Sequence, residues 1–244
     1  MLYLISLGLF DKDDISLKAI KSAKKCDKLY LEKYTNYHKT SAKALSAVIG
    51  KKILEITRKN IEDNSKKLLK EAKDDNIAVF VAGDALTFTT HIALVIEAKN
   101  NGIKTNIIHG SSILTAIGET GLSLYKFGAI TSIPLNNKNI ETPYNILKNN
   151  KKMNLHTLIL LEKTLKINEA IHYLLQLEES KNKKVFNKET GCVACSAIGS
   201  NNAEILYKKA KDLLKRKFNK FPQCLIIPGK LHFIEEEMLE FYRK

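Results

Sequence analysis

The strongest constraint in this chain is a rhythm. Through its first half, short apolar runs over residues 2–7, 29–34, 53–56, 77–82 and 105–108 alternate with segments whose apolar residues recur at helical spacing. A run of about five apolar residues between helices reads as a strand buried on both faces. The alternation therefore predicts a mainly parallel sheet covered by helices. The helices are expected over residues 15–26, started by Asp14; 41–48, ended by Gly50; 61–73, rich in lysine; and 92–99, capped by Thr90 and closed by Gly102.

Near residues 110–114 the rhythm changes. Ser112 reads as the N-cap of a short helix that stops by Gly121. Beyond it, strands are expected over 130–134, 157–161, 192–197 and 224–227. Helices are expected from Pro143, which suits a first helical turn, and over 167–178, 202–214 and 233–241. The fold class is α/β, in two domains, residues 1–112 and 113–244. No internal repeat divides them further.

Composition narrows the function. No apolar run approaches the roughly 18 residues of a membrane span. The opening "MLYLISLGLF" has no basic segment before it and "DKDD" after it, so it reads as a first core strand and not a leader. That makes the cytoplasm the default compartment. The formal net charge of +14 would attract nucleic acid, membrane headgroups or an acidic protein. The lysines are spread over helix faces without interleaved aromatics, however, and tryptophan is absent, which argues against a nucleic-acid stacking platform. Cys192 and Cys195 form the only C-x-x-C. With no second pair and no histidines at ligand spacing, they and Cys26 and Cys224 read as buried packing thiols, and no metal site is expected. The six histidines are dispersed and read as structural. G-x-G-x-x-G, Walker, G-x-S-x-G and H-E-x-x-H patterns are all absent.

What remains is a set of strand ends with small or polar residues: Gly8-Leu9, Gly83-Asp84, His109-Gly110-Ser111-Ser112, Glu162 and Ala197-Ile198-Gly199. In open α/β sheets ligands sit beyond the carboxyl ends of strands, where glycine lets the main chain approach them. Asp84 reads either as the carboxylate that starts a helix or as the rim of a pocket.

Five stretches carry a resemblance across essentially the whole chain: "LISLGLFDKDDISLKAI", "AGDALTFTTH", "IHGSSILTAIGETGLSLYKFG", "HTLILLE" and "IIPGKLH". In order, they resemble the diphthine synthase family of S-adenosylmethionine-dependent methyltransferases, which have the tetrapyrrole-methylase (class III) architecture. The most specific parts are Thr89-Thr90-His91, Leu124-Tyr125-Lys126-Phe127-Gly128 and Pro228-Gly229-Lys230-Leu231-His232. The resemblance implies two α/β domains with the cofactor, S-adenosylmethionine, in the cleft between them, and a homodimer. It implies as substrate a modified histidine of translation elongation factor two, whose aminocarboxypropyl amine receives methyl groups. Matching the family's donor positions implies Leu9, Asp84, Thr87, Ser112, Ile113, Leu161, Ile198 and Gln223 as cofactor-binding. The chain departs from the family's pattern at Ser6, where glycine is usual, and at Ala85, where proline is usual; Thr87 and Gln223 fall at positions the family varies.

The resemblance also implies catalysis mostly by positioning, since a sulfonium methyl is already activated. No general base is assigned. The attacking amine must be neutral, which burial favours. The basic surface reads either as suited to docking on an acidic factor or as dispersed lysine without a role. Apart from the resemblance, the residues leave open a tetrapyrrole or ribosomal RNA substrate on the same fold, or a non-enzymatic RNA-binding protein.

Overall fold

The structure is a computed structural model that describes residues 1–35 and 37–243. Two compact units divide it, Met1–Ile113 and Leu114–Lys244.

In the first unit the elements run β1 (Leu2–Ser6), α1 (Leu17–Lys24), β2 (Lys28–Glu32), α2 (Ala42–Ile49), β3 (Ile53–Ile56), α3 (Ser65–Asp74), β4 (Ile77–Val81), α4 (Ile92–Asn100) and β5 (Thr105–Ile108). All pairings are parallel, in the order β3-β2-β4-β1-β5. Side chains alternate across a strand, so β4 feeds two cores. Ile77, Val79 and Val81 pack with Leu68, Leu69 and Ala72 of α3 and Leu94, Val95 and Ala98 of α4. Ala78 and Phe80 pack on the other face with Ala19 and Ala23 of α1 and Leu45 and Ile49 of α2. Every residue of β4 is buried, as the unbroken apolar run requires.

Three expected helix boundaries are corrected. Asp14 does not start α1; Ser16 does, accepting the Ala19 N–H at 3.1 Å, while the Asp14 carboxylate receives the Phe10 and Asp11 N–H groups. The expected helix over 61–73 is two pieces, a wide π-type turn at Lys59–Asp63 and then α3, broken where Asn64 leaves helical geometry. Thr90 does not cap α4. Its hydroxyl donates to Glu62 at 2.8 Å, and His91 holds the cap position without a side-chain bond. In the first case a nearby serine supplied the cap; in the second the main chain breaks at Asn64, whose side chain makes no cap bond; in the third a tertiary partner captured the hydroxyl.

The second unit comprises α5 (Ile113–Ala116, whose first residue ends the first unit), β6 (Thr131–Ile133), α6 (Thr142–Lys152), β7 (Thr157–Leu161), α7 (Ile167–Lys181), β8 (Gly191–Ser196), β9 (Glu204–Lys209), α8 (Ala210–Leu213), β10 (Gln223–Ile227) and α9 (Phe233–Phe241). Its sheet, in the order β6-β7-β10-β8-β9, is mixed: only β6 and β7 are parallel. The largest correction lies here. The expected helix over 202–214 is β9 followed by the single turn α8. "EILYKK" pairs antiparallel with β8 along its whole length, which covers an otherwise open edge and leaves lysines outermost. One face carries Ile159, Leu161, Cys192, Ala194, Leu225 and Ile227 against α6 and α7.

All four cysteines are free and buried. Cys192 faces the α6–α7 core, whereas Cys195, three residues along the same strand, points to the other side and pairs in register with Cys224. The C-x-x-C is therefore split across a sheet and cannot chelate. Among the described residues no group of His, Cys, Asp or Glu could hold a metal ion, and no helix is long and apolar enough to cross a membrane.

Candidate functional site

Strands β1 and β4 are neighbours in the first sheet, but the helices that follow them leave on opposite faces. α1 belongs to one core and α4 to the other. Adjacent strands whose connections diverge in this way open a crevice at their carboxyl ends, the topological switch point where α/β sheets bind ligands. The residues standing there are Gly8-Leu9 and Gly83-Asp84. Gly8 and Gly83 exchange backbone hydrogen bonds (Gly8 N–H to Gly83 O, 3.2 Å; Gly83 N–H to Gly8 O, 2.8 Å). Both have left-handed φ, +89° and +71°, which side chains resist and glycine accepts. Nothing lies within 4 Å of where a Cβ on Gly83 would stand, so the main chain at this corner is open to a ligand.

Asp84 organises the corner. One carboxylate oxygen accepts the Leu86 N–H (3.0 Å) and the Thr87 hydroxyl (3.2 Å); the other meets His109 Nδ1 (2.8 Å) and the Gly110 N–H (3.3 Å). The ends of β4 and β5 are thus tied through one buried side chain. Burial pushes the carboxyl pKa up, but these hydrogen bonds outweigh it and hold the group below the usual carboxylate value. Asp84 does not start a helix, since α4 begins at Ile92 with His91 at its cap; its carboxylate instead fixes the turn that follows β4. His109, as the partner of Asp84, was missed by sequence reasoning; a histidine ending β5 beside an acidic corner on β4 was the available signal.

Ser6 and Ala85, the two departures from the family pattern, are joined. The Ala85 N–H donates to Ser6 Oγ at 2.9 Å, in a buried bond. A proline at 85 would have no N–H to satisfy, and a glycine at 6 no oxygen to satisfy it with, so the two substitutions belong together. Ser6→Gly alone should cost about 1–3 kcal/mol, the penalty of an orphaned buried donor. In an Ala85→Pro background the cost should be clearly smaller. Urea unfolding of the four proteins of this cycle measures the coupling, and equal losses in both backgrounds would refute it.

Leu9 and Thr87 are half-buried beside this corner, Ser112 is buried beyond β5, and Ile113 opens α5. In the second unit, Leu161 and Gln223 end one row of the sheet: the β7–β10 register continues to set them opposite each other, and Gln223 pairs in turn with Ser196. Ile198, two residues beyond Ser196, follows the left-handed Ala197 (φ +52°). The second unit therefore gathers Leu161, Ile198 and Gln223 at one end of its central strands. The Gln223 side chain is already engaged, however. It accepts the Ile167 N–H that opens α7 (3.0 Å) and donates to the carbonyls of Phe218 (3.3 Å) and Lys220 (2.8 Å).

The other quoted motifs meet at the opposite end of the same strands. Glu235, from α9, is buried and receives Lys126 Nζ, His156 Nε2 (3.1 Å) and the N–H groups of Ser123 (2.9 Å) and His232 (2.8 Å). The Gly229 N–H donates to His156 Nδ1 at 2.9 Å, which fixes the tautomer: Nε2 carries the proton and gives it to Glu235. Burial holds His156 below its ordinary pKa against the pull of Glu235. Burial acts to raise Glu235, and the Lys126 ammonium with the backbone donors more than reverses it. The group is a Lys126–Glu235 ion pair with a neutral imidazole on its carboxylate, built from "LYKFG", "HTLILLE" and "PGKLH" together with α9.

These features agree with what comparison finds. Residues 1–214 match the sequence model of the Tetrapyrrole (Corrin/Porphyrin) Methylases. The chain is 44% identical to a diphthine synthase of Methanocaldococcus jannaschii, covering 99% of this chain and 98% of that protein. It is 41% identical to a diphthine synthase of Methanococcus aeolicus, covering 99% and 97%. A crystal structure of diphthine synthase superposes with a TM-score of 0.91 at 32% identity, covering 99% of this chain and 95% of that one. The chain belongs to the tetrapyrrole methylase family and, within it, groups with the diphthine synthases. Its class of activity is methyl transfer from S-adenosylmethionine in diphthamide biosynthesis.

Proposed function

We propose that the chain methylates the amino nitrogen of the aminocarboxypropyl group on a modified histidine of translation elongation factor two, working as a homodimer in the cytoplasm. Full-length likeness to diphthine synthases carries the reading. The switch-point crevice in the first unit supports it, because that is where an α/β sheet takes a ligand.

The residues fit the donor. S-adenosylmethionine supplies a methyl group activated on a sulfonium. Around the open main chain at Gly83 stand the apolar Leu9 and the Thr87 hydroxyl, suited to an adenine face and a sugar hydroxyl. Ser112 and Ile113 follow β5, and Leu161, Ile198 and the main chain of Gln223 offer a second, apolar set. The four hydrogen bonds already made by Asp84 suit it to hold Thr87 and the Gly110 amide in place for the donor. These residues bind and orient, which is what transfer from an activated methyl asks of a protein.

For the dimer, Ile92 and Ile96, one turn apart on α4, and Phe88 on the segment before it are exposed apolar side chains that a second copy would cover. Sedimentation at twice the chain mass checks it. The substrate is tested by incubating the protein with methyl-labelled donor and elongation factor two bearing the aminocarboxypropyl histidine, with ribosomal RNA as a parallel substrate. Label is expected in the factor; label in RNA alone would overturn the reading.

A further inference from the structure

His91 ends the "TTH" motif and is fully buried, yet neither ring nitrogen has a hydrogen-bond partner among the described residues. Tyr34 lies over it, with ring centroids 6.2 Å apart and planes 29° from parallel, and the buried Tyr34 hydroxyl, beside Thr35, makes no well-formed hydrogen bond among the described residues either. Buried polar groups are almost always paired, because leaving a donor or an acceptor dry opposes folding. Three such atoms in one stack mark a place kept polar for something other than the fold.

The neighbouring charges are Glu32, Arg58 and Glu62; the buried Glu32 carboxylate accepts the Tyr34 and Thr35 N–H groups at 2.9 and 3.0 Å. Arg58 sits 5.8 Å from the Tyr34 ring centroid and binds Glu62 at 2.8 Å, and the other Glu62 oxygen holds the Thr90 hydroxyl. Burial pushes His91 down to about 4, with Glu62 opposing weakly, so at neutral pH the ring is uncharged and offers one N–H and one lone pair. Burial pushes the Tyr34 phenol up, so it keeps its proton and donates. His91 stands seven residues after Asp84, on the segment that leads from the β4 corner into α4. Tyr34 stands just past β2, on chain that forms neither helix nor strand.

We propose that His91 and Tyr34 form the acceptor pocket of the methyltransferase, taking the α-amino-acid end of the acceptor side chain. The imidazole lone pair receives an N–H of the neutral amine and so turns the nitrogen's own lone pair outward. The tyrosine hydroxyl donates to the carboxylate. An uncharged ring suits this task, since an imidazolium would repel a protonated amine and offer no acceptor to a neutral one. The assignment rests on the acceptor proposed above, and the experiment separates the two.

The variants are His91→Phe, which keeps the ring stack, Tyr34→Phe, which removes only the hydroxyl, and His91→Gln, which keeps a donor and an acceptor. Each is measured for melting temperature, affinity for S-adenosylhomocysteine, and kcat and KM on elongation factor two bearing the aminocarboxypropyl histidine. His91→Phe should melt at or a few degrees above the parent, because it removes two unpaired buried atoms. It should bind S-adenosylhomocysteine within about twofold of the parent and lose at least tenfold in kcat/KM. Tyr34→Phe should follow in the same direction, and His91→Gln should recover part of the loss. Full turnover by both phenylalanine variants, with the parent active, overturns the pocket and leaves the substrate standing. A lower melting temperature with a parallel loss of S-adenosylhomocysteine binding also overturns it, marking His91 as a folding residue paired to a buried water. A parent that binds S-adenosylhomocysteine but leaves the factor unlabelled overturns the substrate, and the pocket with it.

Discussion

Replacing Glu235 by glutamine is expected to lower the melting temperature by roughly 6–12 °C. The carboxylate is buried and receives an ammonium, an imidazole N–H and two backbone N–H groups. An amide of the same shape leaves the Lys126 charge without its counterion and turns an NH2 toward groups that also donate. Breaking a buried pair in this way costs about 3 kcal/mol or more, and in a chain of this length each kcal/mol moves the midpoint by about 2–4 °C. Calorimetry reads the shift directly; a change under about 2 °C would mean that the network contributes nothing net. The same residue sets an acid limit. Its folded pKa lies below the ordinary 4.5, so its contribution is complete above that value and is lost as the pH falls through the folded pKa. The variant should therefore show a shallower loss of stability in acid than the parent.

Asp84→Ala should abolish most donor binding, weakening affinity for S-adenosylhomocysteine at least tenfold in titration calorimetry. The expected cause is indirect. Four hydrogen bonds converge on this carboxylate, and without them the Leu86–Thr87 turn loses its tie to His109 and Gly110. Unchanged affinity would show that the corner holds its shape without the tie and that the donor is bound elsewhere. Asp84 also titrates below its ordinary 3.8, so the tie is intact above that value and fails only as the pH drops through the folded pKa. Donor binding should accordingly be flat from neutrality down to about pH 5 as far as this group is concerned.

The sequence by itself determined the first unit almost completely. Five apolar runs separated by helical periodicities admit little except a covered parallel sheet, because a strand apolar on both faces must be buried on both. It also marked strand ends where the chain could turn, since Gly8 and Gly83 can take the left-handed corners they adopt here. The quoted motifs pointed to the family that comparison then found. What sequence could not settle was decided by partners distant in the chain. "EILYKK" has apolar spacing compatible with helix, and only the open edge of β8 makes it a strand. Thr90 is a sound cap by type, but Glu62 lies within reach of its hydroxyl. Ser6 and Ala85 are two departures in sequence and one hydrogen bond in space, across 79 residues. Gln223 belongs to the expected site by position, while its side chain is occupied with α7 and the loop before β10. His91 reads as a structural histidine by every local criterion, and only burial without a partner gives it another role. Periodicity and turn chemistry act within a few residues, so they are legible in one dimension. Hydrogen-bond partners, and the lack of them, depend on which segments the fold brings together.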